Sequence, residues 1–151
     1  MSDPDIELRP AKTGDLPALL KLYRHLNPND EILPNEARHG IWRTMLNQPG
    51  FTCIVAIQEG ALVASCCLAV IPNLTRGGRS YAFIENVVTH GDYRRRGNGR
   101  AVLNEALRQA WQAGCYKAML LSGSKRPEVH RFYASCGFRS DDKTGFVARP
   151  D

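Results

Sequence analysis

The chain has 151 residues, 43% hydrophobic and 23% charged, with a formal net charge of +5. That is ordinary globular composition at the length of one domain, so a single domain over 1–151 is expected, burying roughly 70% of its unfolded surface without metal or disulfide staples. There is no run of about 18 apolar residues, which excludes a membrane-spanning helix, and the acidic start MSDPDIELRP has no signal-peptide core, so a cytoplasmic protein is expected.

In chain order, Ile6 and Leu8 alternate with polar residues and predict a short first strand. Thr13-Gly14-Asp15 offers capping side chains to a helix carrying Leu16, Leu19, Leu20 and Tyr23, which should end near Leu26, before Asn27-Pro28-Asn29-Asp30. A second helix is expected from about Pro34 to Leu46, with Ile41, Trp42, Met45 and Leu46 as its apolar stripe and Pro49-Gly50 as its stop. Phe51 to Ile57 reads as a strand, Glu59-Gly60 as a tight connection, and the almost wholly apolar Leu62 to Ile71 as a central strand. After a polar loop from Pro72 to Gly78, Tyr81 to Thr89 is the next strand.

A helix then carries Leu103, Ala106, Leu107, Ala110 and Trp111 on one face and is capped at Gly114. Ala118 to Leu121 is a short buried strand. Pro127 opens a last helix, which ends at Gly137, and Phe138–Ser140 with Gly145–Ala148 predicts a closing hairpin. The order β-α-α-β-β-β-α-β-α-β-β gives an α/β (mixed α+β) fold: a mostly antiparallel central sheet flanked by about four helices, with one right-handed parallel crossover. Cys53, Cys66, Cys67, Cys115 and Cys136 are an odd set without a Cys-x-x-Cys pair, so reduced thiols and no bound metal are expected.

The chain is organised around Phe83 to Leu107, FIENVVTHGDYRRRGNGRAVLNEAL. A strand with one carboxylate, Glu85, runs through a basic loop into a helix. The first N–H groups of a helix lack intrahelical partners and sit at the positive end of its dipole, which makes a ready anion site. Gly97 and Gly99 admit close approach to the backbone, and Arg94, Arg95, Arg96 and Arg100 suit a phosphate. Neither a P-loop nor a dinucleotide fingerprint is present, since position 102 is Val. No nucleic-acid motif accompanies the basic loop, so nucleic acid is not an expected partner.

Arg94-x-x-Gly97-x-Gly99 resembles the pyrophosphate-binding signature of the GNAT superfamily of acetyl-CoA-dependent N-acetyltransferases. Phe132-Tyr133-Ala134-Ser135-Cys136-Gly137-Phe138 is similar to the Phe-Tyr-x-x-x-Gly-Phe sequence at that family's last helix, and the element order resembles its fold over essentially the whole chain. Ile84–Val88 and Gly114–Lys117 are similar to segments of glucosamine-6-phosphate N-acetyltransferases. Lys125–Tyr133 is similar to aminoalkylphosphonate acetyltransferases.

The resemblance implies acetyl-CoA as cosubstrate, no metal, a small-molecule amine as acceptor, no membrane or nucleic-acid partner, and room for a homodimer. Its pyrophosphate would lie on the amides of Arg95, Arg96, Gly97, Asn98, Gly99 and Arg100, beside Arg94. Two positions depart from the family pattern. Asn98 replaces an aliphatic residue, leaving its side chain free for another contact. Arg126 falls where relatives carry an Asn, and is expected to meet a cofactor phosphate instead.

Acetyl transfer to an amine needs the amine neutral, the thioester carbonyl polarised and the leaving thiolate protonated. A primary amine titrates near 10.4, so a carboxylate has a proton to remove; Glu85 is the candidate base, with His90 and His130 behind it. Tyr133 is the implied acid, and the amides of Val87 and Val88 are the implied carbonyl donors, a contribution of about 3–4 kcal/mol. Direct attack in a ternary complex is favoured over an acyl-enzyme at Cys136, which lacks a partnering base. The acceptor is expected from the side of the first two helices, between the 26–33 and 72–78 loops. A protein acetyltransferase and a non-catalytic acyl-CoA sensor remain alternatives.

Overall fold

The computed structural model describes residues 5–151, so the start of the acidic terminus lies outside the described residues. Two compact units divide the chain, one ending at Met119 and one running from Leu120 to Asp151. The first holds β1 (Glu7–Pro10), a 3-10 turn (Thr13–Asp15), α1 (Leu16–Tyr23), α2 (Asn35–Asn47), β2 (Phe51–Gln58), β3 (Ala61–Ile71), the single turn α3 (Thr75–Gly78), β4 (Tyr81–Thr89), a second 3-10 turn (Gly91–Tyr93), α4 (Asn98–Gln112) and β5 (Ala118–Met119). The second holds α5 (Pro127–Ser135).

The sheet runs β1-β2-β3-β4-β5, antiparallel except for the parallel β4–β5 pair. The β2–β3 hairpin is closed by Glu59-Gly60, with both φ values positive (54° and 76°), the turn whose twist matches the strands. Gly50, in the turn between α2 and β2, has φ +74°, and a Cβ there would stand 2.6 Å from the Val70 carbonyl oxygen, so no other residue fits that corner. One sheet face packs on α1 and α2: Leu16, Leu19, Leu22 and Trp42 bury against Cys53, Val55, Cys67 and Val88. The other packs on α4, where the Cys66 thiol meets the Val102 carbonyl at 3.5 Å.

Local chemistry sets the ends. Asp15 accepts the Lys12 N–H at 2.7 Å and takes the Arg9 guanidinium at 2.7 and 3.0 Å, tying β1 to the entry of α1. The α4 C-terminus is a Schellman cap: the Gly114 N–H donates to the Trp111 carbonyl and the Cys115 N–H to that of Ala110, both at 3.0 Å.

Four expectations change. The α4 stripe runs through Asn98, Val102, Ala106 and Ala110, so Trp111, about 100° off that line in the last turn, is 51% exposed. In α2 Trp42 takes the core position, its indole N–H donating to the Thr13 carbonyl at 3.1 Å, and neighbouring Ile41 is 51% exposed. β5 spans two residues, not four, because its pairing with β4 stops at Phe83–Met119. The closing hairpin is absent among the described residues: Arg139 and Asp141 pair locally at 3.1 Å, Phe146 stands 91% exposed, and an isolated two-stranded ribbon has too little to bury.

Candidate active site

β4 carries one residue more than its pairing with β3 requires. Glu85 lies opposite Cys67 and Val88 opposite Ser65, so Cys66 faces both Asn86 and Val87. This is a β-bulge, and Asn86 sits at its head with φ +54°, a left-handed conformation that Asn tolerates better than most residues. The bulge switches the side-chain alternation, so Glu85 and Val88 share the α1–α2 face, three residues apart. Glu85 is exposed there, while Val87 is half-buried and Val88 buried. Beyond Phe83 the β5 side of β4 has no ladder partner in the sheet, so the strand is open over the stretch that holds Glu85, Val87 and Val88.

From β4 the chain turns through His90 and Gly91–Tyr93 into the basic loop. Arg95 and Gly97 have φ values of +63° and +86°, and Gly97 is the N-cap of α4. An αL N-cap is natural for glycine and costly for a β-branched residue. The first α4 hydrogen bond runs from the Ala101 N–H to the Gly97 carbonyl at 2.9 Å, so Asn98, Gly99 and Arg100 form the turn whose amides precede it. Arg94, Arg95, Arg96 and Arg100 are exposed. Arg96 stands 3.6 Å from Glu59 and lies over the Tyr93 ring at 4.9 Å. A helix entrance ringed by guanidiniums, with two left-handed residues turning the backbone, fits a pyrophosphate.

Asn98 makes the further contact that its departure from the family pattern left room for. Its side chain points inward at 1% exposure, and its amide nitrogen donates to Oε1 of Gln58 at 2.8 Å and to the Tyr93 carbonyl at 3.3 Å. Gln58 escaped the sequence reading, because one polar residue at the end of FTCIVAIQ looks like an ordinary strand terminus. His25 escaped it too. Its Nδ1 accepts the Gly91 N–H at 3.2 Å and its ring lies 4.1 Å from that of His90, joining the chain after α1 to the start of the basic loop. His90 Nδ1 in turn accepts the Asp92 N–H at 3.1 Å, so His90 is occupied with shaping the turn.

In the second unit Tyr133 is half-buried on α5, its ring 5.4 Å from Phe132 and 6.2 Å from Phe138. Arg126 is the N-cap residue of α5 and pairs with Glu128 at 2.8 Å. The His130 ring donates from Nε2 to the Ser124 carbonyl at 2.6 Å, a contact that orders the loop before α5. Cys136, at the C-cap of α5, is buried.

The thiols are free and buried. Ser65 gives its single proton to the Ile54 carbonyl at 2.8 Å, so Cys53, 3.6 Å away, is the donor between them, and the hydrogen bond from Cys67 holds the Cys53 thiol below its usual range despite burial. Burial pushes Cys66 up to about 12. Cys67, hydrogen-bonded to Cys53 and desolvated, is raised further, and burial raises Tyr23, whose hydroxyl lies 3.9 Å from it. Two clefts of about 560 and 600 Å³ lie along α2 and the β1–β2 edge, and neither contains a residue of the β4 opening. Among the described residues no group of three metal-ligating side chains occurs, and no helix is long and apolar enough to cross a membrane.

The Acetyltransferase (GNAT) family matches residues 16–138, which include the β4 opening, the basic loop and α5. The chain belongs to the GNAT acetyltransferase family. A glucosamine 6-phosphate N-acetyltransferase of Trypanosoma brucei brucei is 32% identical over 141 residues, 92% of each chain. A solved chain from Agrobacterium tumefaciens str. C58, provisionally assigned as an acetyltransferase, is 51% identical with a TM-score of 0.91, covering 95% of this chain and 99% of that one. An aminoglycoside N-acetyltransferase solved in complex with CoA shares the fold at a TM-score of 0.78 and 15% identity, over 95% and 94% of the two chains. The protein is therefore an acyltransferase.

Proposed function

We propose that this GNAT acetyltransferase moves an acetyl group from acetyl-CoA to the primary amine of a small molecule, by direct attack in a ternary complex within a single catalytic domain. The observation that carries this reading is Glu85, an exposed carboxylate beside a β-bulge on the strand face that α1 and α2 share. It is a base positioned where the strand is open on its other edge. The relative from Trypanosoma brucei brucei makes an amino sugar phosphate the first acceptor to test.

In this reading the amine nitrogen attacks the thioester carbon and gives its proton to Glu85, directly or through water. The carbonyl is polarised by the amides of Val87 and Val88. The C–S bond breaks, and the thiolate takes a proton from Tyr133. The amides of Arg95 to Arg100, with Arg94 and Arg126, hold the phosphates. The burial of all five thiols supports direct transfer over an acyl-cysteine.

The test is a panel of amines with acetyl-CoA, followed by release of the CoA thiol: glucosamine 6-phosphate, glucosamine, aminoalkylphosphonates, polyamines, aminoglycosides and peptides. Turnover on an amino sugar phosphate well above the peptides is the expected result. Turnover confined to peptides would replace the small molecule with a protein acceptor. CoA binding with no turnover on any amine would make the protein a sensor.

A further inference from the structure

The basic loop is closed by one buried nitrogen. The Asn98 side-chain amide has two protons, and both are engaged, with Gln58 at 2.8 Å and with the Tyr93 carbonyl at 3.3 Å. A backbone carbonyl can only accept, so the Tyr93 contact fixes which end of the Asn98 amide faces it and leaves Gln58 presenting its oxygen. Tyr93 and Asn98 flank Arg94 to Gly97, so the bond between them closes that segment into a loop. Gln58 then ties the closure to the end of β2 inside the sheet, at 2% exposure against 1% for Asn98. From the outside, Arg96 braces the same loop against Glu59, the residue after Gln58.

Stability alone does not account for Asn98. Its Oδ1 is buried without a hydrogen-bond partner, an arrangement that weakens a fold. An aliphatic side chain would fill the same space and remove that orphan. What it would not supply is the double donor that shapes the loop.

We propose that Gln58 and Asn98 are a positioning pair that holds the Arg94–Gly97 loop and the first turn of α4 in the shape that receives the CoA pyrophosphate. The inference rests on reading that loop as the pyrophosphate site. Gln58 touches no substrate; it acts through Asn98, and Asn98 acts through its side chain on the direction of the backbone amides around it. The pair therefore sets how tightly the donor is held, while the chemistry takes place elsewhere.

The experiment compares wild type with Gln58→Met, Asn98→Leu, the double variant and Gly97→Val. Calorimetry measures CoA affinity, thermal unfolding measures stability, and kinetics use acetyl-CoA with the fastest amine from the panel above. Each single change at 58 or 98 should weaken CoA binding at least tenfold. Asn98→Leu should melt no lower than wild type. The double variant should bind no worse than the weaker single, since both changes break one unit. The kinetic loss should fall on KM for acetyl-CoA and not on kcat. If both single variants bind CoA like wild type while Gly97→Val does not, the pair has no positioning role. Affinity lost only in step with melting temperature would likewise reduce it to a structural one. If Gly97→Val also binds normally, or wild type does not bind CoA, the loop reading itself falls and the inference with it.

Discussion

Glu85 and Asp15 show how differently two carboxylates are used in this chain. Asp15 is held by the Arg9 guanidinium, which keeps its carboxyl below the usual carboxylate range. A depressed folded value adds stability above the unfolded one, so this contribution is complete above about pH 4 and lost as pH falls through the lower folded value. Asp15→Asn should cost about 1–3 kcal/mol at neutral pH and flatten the acid limb of the unfolding curve; an unchanged limb would assign acid sensitivity to other carboxylates. Glu85 is exposed on the strand face it shares with Val88. Glu85→Gln should lower turnover most at neutral pH and recover partly at high pH, where more amine is unprotonated. Tyr133→Phe removes only a hydroxyl, so kcat should fall about 10²- to 10⁴-fold with acetyl-CoA affinity kept; full turnover would move the acid role to water. Glu85 was legible in the sequence because it interrupts an apolar run. Gln58 and the inward turn of Asn98 were not, because nothing in a pattern tells which polar residue will find a buried partner across forty positions.

At the scale of elements, the helices were legible wherever a single stripe was wide enough to settle their orientation. α4 has six buried positions and its bounds were foreseeable. Its last turn was not, since an aromatic residue at the edge of a stripe reads as core until the end of the sheet is known. The strand–loop–helix unit can be tested directly. Gly97→Val puts a β-branched residue at φ +86°, and it should raise KM for acetyl-CoA strongly in a protein that still folds. Gly99→Val should act in the same direction, and retained affinity in both would remove the pyrophosphate from this loop. Trp42, at 2% exposure with its indole N–H bonded to the Thr13 carbonyl, fixes α2 against the sheet. Trp42→Ala should cost about 3–5 kcal/mol in denaturant unfolding. The closing hairpin was misread because each of its proposed strands offers too few apolar side chains to specify a face, and alternation over three or four residues arises easily by chance.

For the whole molecule, charge and thiols make separate demands on experiment. A net charge of +5, with four arginines exposed around one loop, predicts that CoA binding weakens as salt rises from low to high, because exposed charges are screened beyond roughly 10 Å at 0.1 M. The mixed sheet with its antiparallel meander was readable from three successive apolar segments followed by a strand–helix–strand unit. The bulge in β4 was not readable, because one surplus residue in a ladder leaves no mark on composition. That bulge has a consequence for length variation. Asn86 is a surplus residue in the ladder: with it removed, Cys66 would face Val87 alone, and Phe83, Glu85 and Val88 would keep the faces they now occupy. A chain shortened by that one residue should therefore fold at least as stably as the parent, freed of a left-handed Asn, while its acetyl transfer disappears. Few single-residue deletions inside a central strand can be expected to be silent for folding and lethal for catalysis, and this one separates the two inheritances of the same strand.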